Sequence, residues 1–213
     1  AMPVGGSFRC IDFALSNMSN SHVQTVAVLT QYNARSLNEH LSSSKWWDFG
    51  RKQGGMFLFT PTVTAENSDW YRGTADAMYQ NIDFLKRRHE PYVIISSGDC
   101  VYKMDYNKVL DYHIAKKADI TVVCKDMPAD ANINRFGVVR MNEDSRIVEF
   151  EEKPIIAQSN TISTGVYVIR RRQLIEILEK SAEENRFDFV ADVLIRYKNI
   201  KRIYGYKMKE YWS

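Results

Sequence analysis

The sequence predicts an α/β domain built on a mixed, mainly parallel sheet with helices on both faces. Three observations carry that expectation. Helical and strand patterns alternate through residues 10–124, the order that parallel βαβ units produce. The strands at 23–30, 92–95 and 120–124 are short and apolar, and rich in Val and Ile, as buried strands are. The chain has 213 residues, 45% of them apolar and 26% charged, which supports a packed core and argues against disorder.

In chain order, Gly5-Gly6 makes a turn. Cys10, Phe13, Ala14, Asn17 and Met18 then fall on one helical face. A strand at 23–30 leads to a helix at 34–41 with Leu37 and Leu41 on one side. Residues 45–67 lack periodicity apart from 56–59, and a stretch that long inside a domain is usually functional or disordered. Ala75, Met78, Ile82 and Leu85 predict one amphipathic helix over 73–88, and Pro91 ends the connection to the strand at 92–95. Asp105 or Asn107 can cap the helix carrying Val109, Leu110, His113 and Ile114. The second half changes character. Residues 136–141 and 146–150 flank Asn-Glu-Asp-Ser, which reads as a hairpin. A strand at 164–169, a helix at 173–180, a helix marked by Phe189, Val193, Leu194 and Tyr197, and a strand at 200–208 follow.

Composition narrows the function. A net charge of +3 is too small to argue for nucleic acid and suits an anionic small molecule. Cys10, Cys100 and Cys124 match no zinc spacing and read as reduced thiols of a cytoplasmic protein. No apolar run approaches the ~20 residues that span a bilayer, and the first residues do not read as a secretory signal. The P-loop, the dinucleotide fingerprint, the H-E-x-x-H zinc motif and the G-x-S-x-G elbow are all absent. The four histidines are scattered and read as surface or capping residues.

What remains is a set of residues at strand ends: Tyr71 and Gly73, Gly98-Asp99, Gly137, Glu152-Lys153, Ser163 to Gly165, and Asp188. Each has an ordinary structural reading. Asp99 can be a turn residue, and Glu152 an exposed partner of Lys153. Lys153, before Pro154, is expected to be extended. Together they follow strands and can line one crevice, where open α/β sheets bind ligands.

Several stretches carry a resemblance. Trp-Tyr-Arg-Gly-Thr-Ala-Asp-Ala at 70–77, Ser-Gly-Asp at 97–99, Tyr-Lys-Met-Asp-Tyr at 102–106, Phe-Gly-Val at 136–138 and Glu-Glu-Lys-Pro at 151–154 resemble the glucose-1-phosphate adenylyltransferase family. The early helix, with Gly-Gly-Ser-Phe-Arg and Ile-Asp-Phe-Ala-Leu-Ser-Asn, is similar to the same family. The resemblance implies a Rossmann-like nucleotidyltransferase sandwich occupying 1–213, and transfer of AMP from ATP to glucose 1-phosphate for glycogen synthesis. By analogy Asp99 holds Mg²⁺ and Lys153 meets the sugar phosphate. Glu152 accepts from sugar hydroxyls, Gly137 admits the sugar, and Ser163, Gly165 and Asp188 line its pocket. Tyr71 and Gly73 belong to the nucleotide side. The family pattern also implies a Gly-rich loop before Ala1, a β-helix domain after the chain, and assembly into tetramers. Cys100 stands where the family often has histidine, and Ser213 where it has a basic residue. Those departures motivate an alternative, a regulatory subunit that binds ligands and modulates a catalytic partner. Use of UTP or dTTP is a third reading, which the 70–77 stretch opposes.

Overall fold

In a computed structural model, residues 2–43, 47–49, 54–62 and 70–213 are described. Most of the stretch without periodicity, at 44–46, 50–53 and 63–69, lies outside them. A small antiparallel pair, β1 (Pro3–Val4) and β2 (Phe8–Arg9), leads into α1 (Cys10–Asn20). Next come β3 (Thr25–Leu29), α2 (Ala34–Ser43) and β4 (Gly55–Phe59), with β3 and β4 paired in parallel. Ile11 and Leu15 of α1, Val26 and Val28 of β3, and Leu37 and Leu41 of α2 close one apolar cluster.

The helix expected over 73–88 is two helices, α3 (Thr74–Gln80) and α4 (Ile82–Lys86). The cause is Asn81. Its amide nitrogen donates to the carbonyl of Ala77 (2.8 Å), while its backbone N–H bonds only one residue nearer, to Met78 (3.2 Å). A side chain that competes for the i−4 carbonyl breaks the ladder there.

The main sheet contains β5 (Tyr92–Ser96), β6 (Ile120–Asp126), β7 (Gly137–Met141), β8 (Ile147–Glu152), β9 (Thr161–Arg170) and β10 (Ile203–Lys207). Between β5 and β6 lies α5 (Tyr106–Ala115), capped by Asp105 through Asn107 N–H at 3.0 Å. After β9 come α6 (Arg171–Glu183) and a wide π-helical turn, Val190–Ile195, where an ordinary helix was expected. The sheet is mixed, as expected. β5, β6, β7 and β10 run one way, yet only β10 and β6 are parallel neighbours within it. β9 runs against these four, as β8 does, and sits among them.

β9 therefore organises the sheet. Along one edge it pairs with β6. Along the other it pairs with two strands in succession, β5 up to Ser96↔Val166 and β7 at Val138↔Ile162. Residues 163–165 face the gap where β5 has ended and β7 has not begun. The β6 pairing is irregular at the same place: Val122 faces Tyr167, but Cys124 faces Ser163, so Val123 alone opposes three residues of β9, 164–166. Thr164 Oγ1 satisfies the carbonyl of Val123 there (2.8 Å), and Gly165 takes a φ of +76°, open to glycine at little cost.

Helices cover both faces. On one, Ala75, Leu174, Leu178, Phe189, Val193 and Tyr197 pack against Ile120, Val122, Tyr167 and Ile169. On the other, Tyr102, Tyr106 and Val109 pack against Val123, Ile162, Val166 and Val168. The strand β5, expected to be fully buried, is half-buried throughout, because β9 is its only strand partner among the described residues. One histidine departs from expectation. His113 of α5 is buried in the second layer, with Nδ1 2.7 Å from Thr121 Oγ1.

Candidate active site

Most of the residues singled out in the sequence meet around the gap in β9. Asp99 emerges from the end of β5. The preceding Ser97 donates its N–H to Gly165 O (3.0 Å), and its hydroxyl donates to Asp99 Oδ1. Asp99 is exposed, as a carboxylate that meets a ligand must be. Cys100 lies beside it, Sγ to Oδ1 3.5 Å, and burial together with the Asp99 charge pushes its thiol up to about 12. It stays a neutral thiol.

The far rim is the β7–β8 hairpin. Gly137 and Glu152 face each other in register. Lys153 N–H donates to Phe136 O (3.1 Å) and closes the hairpin, and its ammonium lies 3.6 Å from Glu152. The extended backbone expected for Lys153 is not found. Its φ is +47°, because closing that bond requires the chain to turn sharply before Pro154. A lysine held in the left-handed region carries strain of roughly 1 kcal/mol.

Between the rims lies Tyr167, which inside the apolar strand at 164–169 carries no sequence signal of a site. Its hydroxyl is 3.4 Å from Ser163 Oγ, its ring packs on Phe189, and it feels the charges of Glu152 and Asp188. Burial, first of all, pushes that phenol up to about 12. Ser163 thus lies beside this buried hydroxyl, and the charges of Glu152 and Asp188 reach it. Asp188 also has structural work: its Oδ1 accepts from Ala191 N–H (2.7 Å) at the start of the π-helical turn.

The 70–77 stretch forms the third side. A Cβ on Gly73 would run into the carbonyl of Phe187, 2.8 Å from its carbon, so only glycine lets the two backbones approach. The same carbonyl accepts from Ala75 and Asp76 N–H at 2.9 and 3.1 Å, which seats 187–188 on the first turn of α3. Arg72 stacks over the Phe187 ring at 3.8 Å and grips the buried Asp76 by its backbone N–H (2.8 Å) and guanidinium (3.1 Å). Burial alone would raise the Asp76 carboxyl, but the Arg72 bonds and charge hold it below the usual carboxylate range. Tyr71 turns inward, its hydroxyl accepting from Asn81 (3.1 Å), and burial pushes its phenol up. Its neighbour Trp70 is exposed and stacks on Tyr32, just past the end of β3, with ring centroids 5.0 Å apart. Tyr32, far away in sequence, had no signal linking it to Trp70.

Among the described residues no cluster of three His, Cys, Asp or Glu side chains is placed to hold a metal ion. Mg²⁺ fits all the same, since it is commonly held by one or two carboxylates plus substrate phosphates. Asp99, exposed at a strand end, is a donor of that kind. Among the described residues no helix is long and apolar enough to cross a membrane.

Comparison with known proteins agrees with the motifs. A glucose-1-phosphate adenylyltransferase of Bacillus cytotoxicus is 44% identical over 216 residues, covering 100% of this chain and 57% of the relative. Relatives of the same name from Thermosipho melanesiensis and Thermotoga maritima are each 42% identical, with 52% and 51% of their lengths covered. The chain therefore spans about half the length of the curated relatives it matches. A crystal structure of a Bacillus anthracis protein, provisionally named a glucose-1-phosphate thymidylyltransferase and solved with sucrose, superposes with a TM-score of 0.76 at 20% identity. It covers 100% of this chain and 78% of that one, and it supports the fold. The family model for nucleotidyl transferases matches residues 1–213, and the chain belongs to that family.

Proposed function

We propose that the protein is a glucose-1-phosphate adenylyltransferase. It joins the sugar phosphate to the AMP moiety of ATP and releases pyrophosphate. The carrying observation is the gap in β9, where the Asp99 loop, Ser163 to Gly165 and the Glu152-Lys153 turn converge. The identity of 42–44% to relatives of that name supports the choice of substrates.

The attacking group needs no protein base. A phosphate monoester has a second pKa of about 6, so it is largely dianionic near neutrality. Its oxygen forms a bond to the α-phosphorus as the bond from that phosphorus to the pyrophosphate oxygen breaks, and both electrons leave with pyrophosphate. The barrier is the approach of two anions, which positioning and fixed positive charge lower. Lys153 places an ammonium against the sugar phosphate. Glu152 accepts from sugar hydroxyls, and Ser163, Gly165, Gly137 and Asp188 shape the sugar's side of the crevice. Tyr71 and Gly73 hold the turn on the nucleotide side, with Trp70 and Tyr32 beside it as a stacking shelf. Asp99 would hold Mg²⁺, which when bound neutralises phosphate charge. A cytoplasmic, oligomeric enzyme accords with this reading.

The test is pyrophosphate release by the full-length protein from ATP and glucose 1-phosphate, with ATP, UTP and dTTP compared. Asp99→Asn is expected to abolish release, and Lys153→Ala to raise KM for the sugar phosphate. Ligand binding without release in the unsubstituted protein would replace this reading with a regulatory subunit. A preference for UTP or dTTP would replace it with a different nucleotidyltransferase.

A further inference from the structure

The loop that presents Asp99 is held by more than the end of β5. Asn17 of α1, buried at 4% exposure, spends both ends of its amide on it. Its oxygen accepts from Met104 N–H and its nitrogen donates to Tyr102 O, each at 3.1 Å. A neighbouring strand would make the same two bonds. On the other side Val101 exchanges both backbone bonds with Ser213, at 2.8 and 3.0 Å.

Tyr102 is held at its side chain as well. Its hydroxyl lies 2.8 Å from Ser96 Oγ and 2.5 Å from the hydroxyl of Tyr106. The direction of every proton follows from one constraint. Ser96 donates to the carbonyl of Ser97 (3.0 Å), which can only accept. Ser96 must then accept from Tyr102, and Tyr102, its single proton used, must accept from Tyr106. The chain runs Tyr106 to Tyr102 to Ser96 to Ser97 O, and Ser97 itself bonds Asp99 Oδ1. Burial raises the pKa of both phenols, so both keep the protons they donate.

We propose that Tyr102 is a positioning residue for Asp99: clamped at its carbonyl by Asn17 and at its hydroxyl by a one-way hydrogen-bond chain, it fixes the turn that aims the carboxylate into the crevice. The proposal rests on the adenylyltransferase reading and adds to it a residue that touches neither substrate. Its consequence is asymmetric. Tyr102→Phe takes from Ser96 the donor at 2.8 Å and from the buried Tyr106 the acceptor at 2.5 Å. Tyr106→Phe removes only an incoming bond at the far end. Tyr102→Phe combined with Tyr106→Phe removes the buried donor that has lost its close acceptor, the expensive defect for stability, but does not restore the hold on Ser96.

The experiment compares these three variants in the full-length protein by melting temperature, by kcat and KM, by the Mg²⁺ concentration for half-maximal rate, and by hydrogen exchange over residues 97–104. Tyr102→Phe is expected to lower kcat about tenfold or more, the scale of a sub-ångström misplacement. It should also raise the Mg²⁺ requirement, leave KM for glucose 1-phosphate within twofold, and speed exchange over 97–104. Tyr106→Phe should change kcat less than twofold. The double variant should regain melting temperature relative to Tyr102→Phe while keeping its loss of kcat. The proposal is overturned if Tyr102→Phe turns over within twofold of the unsubstituted protein, if Tyr106→Phe matches it, or if kcat recovers together with stability. Should the unsubstituted protein release no pyrophosphate, the reading of its activity fails by itself. Exchange over 97–104 then decides the clamp: faster in Tyr102→Phe it stands, unchanged it falls.

Discussion

Adding one methyl group at Gly73 is the sharpest test of how the 70–77 stretch works. A Cβ there lies 2.8 Å from the carbonyl carbon of Phe187 and 3.3 Å from Asp188 N, and meets the Phe187 oxygen closer still. Carbon atoms rest about 3.5–4.0 Å apart, so the two backbones must separate by roughly 1 Å. That movement strains the two bonds which Ala75 and Asp76 N–H give to Phe187 O. Two backbone bonds strained but not lost, together about 1 kcal/mol, plus overpacking of roughly 1–3 kcal/mol, put the cost of Gly73→Ala near 3 kcal/mol. For a domain of this size each kcal/mol moves the melting temperature by about 2–4 °C, which predicts a drop of roughly 6–12 °C. Asp188 follows Phe187 in the chain, so KM for the sugar phosphate is expected to rise as well. Thermal melts and steady-state kinetics on the full-length protein decide it. A melting temperature within about 2 °C of the parent and an unchanged KM would refute the close-approach argument, because at that cost the smallest observable shift exceeds 2 °C.

Two further predictions concern charge. Arg72→Ala leaves the buried Asp76 with only its backbone N–H and Gln80, and since Arg72 is half-exposed the cost is expected to be about 1–2 kcal/mol at pH 7. The Asp76 carboxyl is depressed in the fold, so the contribution of the pair is fully present above the unfolded value near 3.8, declines below it, and is gone once the pH has fallen through the lower folded value. Urea unfolding at pH 7 and pH 3 should show a smaller penalty at the lower pH, where the unfolded carboxyl is already mostly protonated, and an equal penalty at both would refute the pairing. His113 has its own window. Burial first, then the Arg170 charge, lowers its imidazole to about 4 from 6.5, so the unfolded chain takes up the proton earlier as pH falls. Stability is expected to decline by about 2 kcal/mol between pH 6.5 and 5, before the carboxylates titrate. His113→Leu should flatten that slope, and a slope identical to the parent's would show that other groups cause it.

Local patterns in the sequence located nearly every element, because apolar spacing reports which face a segment buries. They misjudged what depends on a single side chain or on a distant strand. The 73–88 periodicity is real, but Asn81 diverts one carbonyl and the helix restarts. Lys153 precedes proline, yet a bond to Phe136 from across the hairpin overrides the local preference. Strand direction could not be read at all around β9, since its neighbours come from residues 92–96, 120–126 and 137–141. In the site, Asp99, Glu152, Lys153 and Ser163 were visible as polar residues at strand ends. Tyr167 was not, because a tyrosine within an apolar run reads as packing until its hydroxyl is seen beside Ser163. Arg72 and Asp76 stand in the sequence only as members of the 70–77 stretch, and their pairing as the latch of the turn needed the fold.

The irregular pairing opposite Val123 also limits how this fold can vary in length. Side chains on a strand alternate between faces, so gaining or losing one residue at 163–166 would send every later side chain of β9 to the opposite layer. Ile169 would leave one apolar cluster, Val166 and Val168 the other, and Tyr167 would turn its hydroxyl away from Ser163. The excess of β9 over β6 is two residues, an even number, and so the inward and outward pattern survives it. Insertions and deletions at this rim are compatible with both cores only in pairs. The parity of the chain, more than the identity of any residue in the bulge, keeps the floor of the crevice facing up.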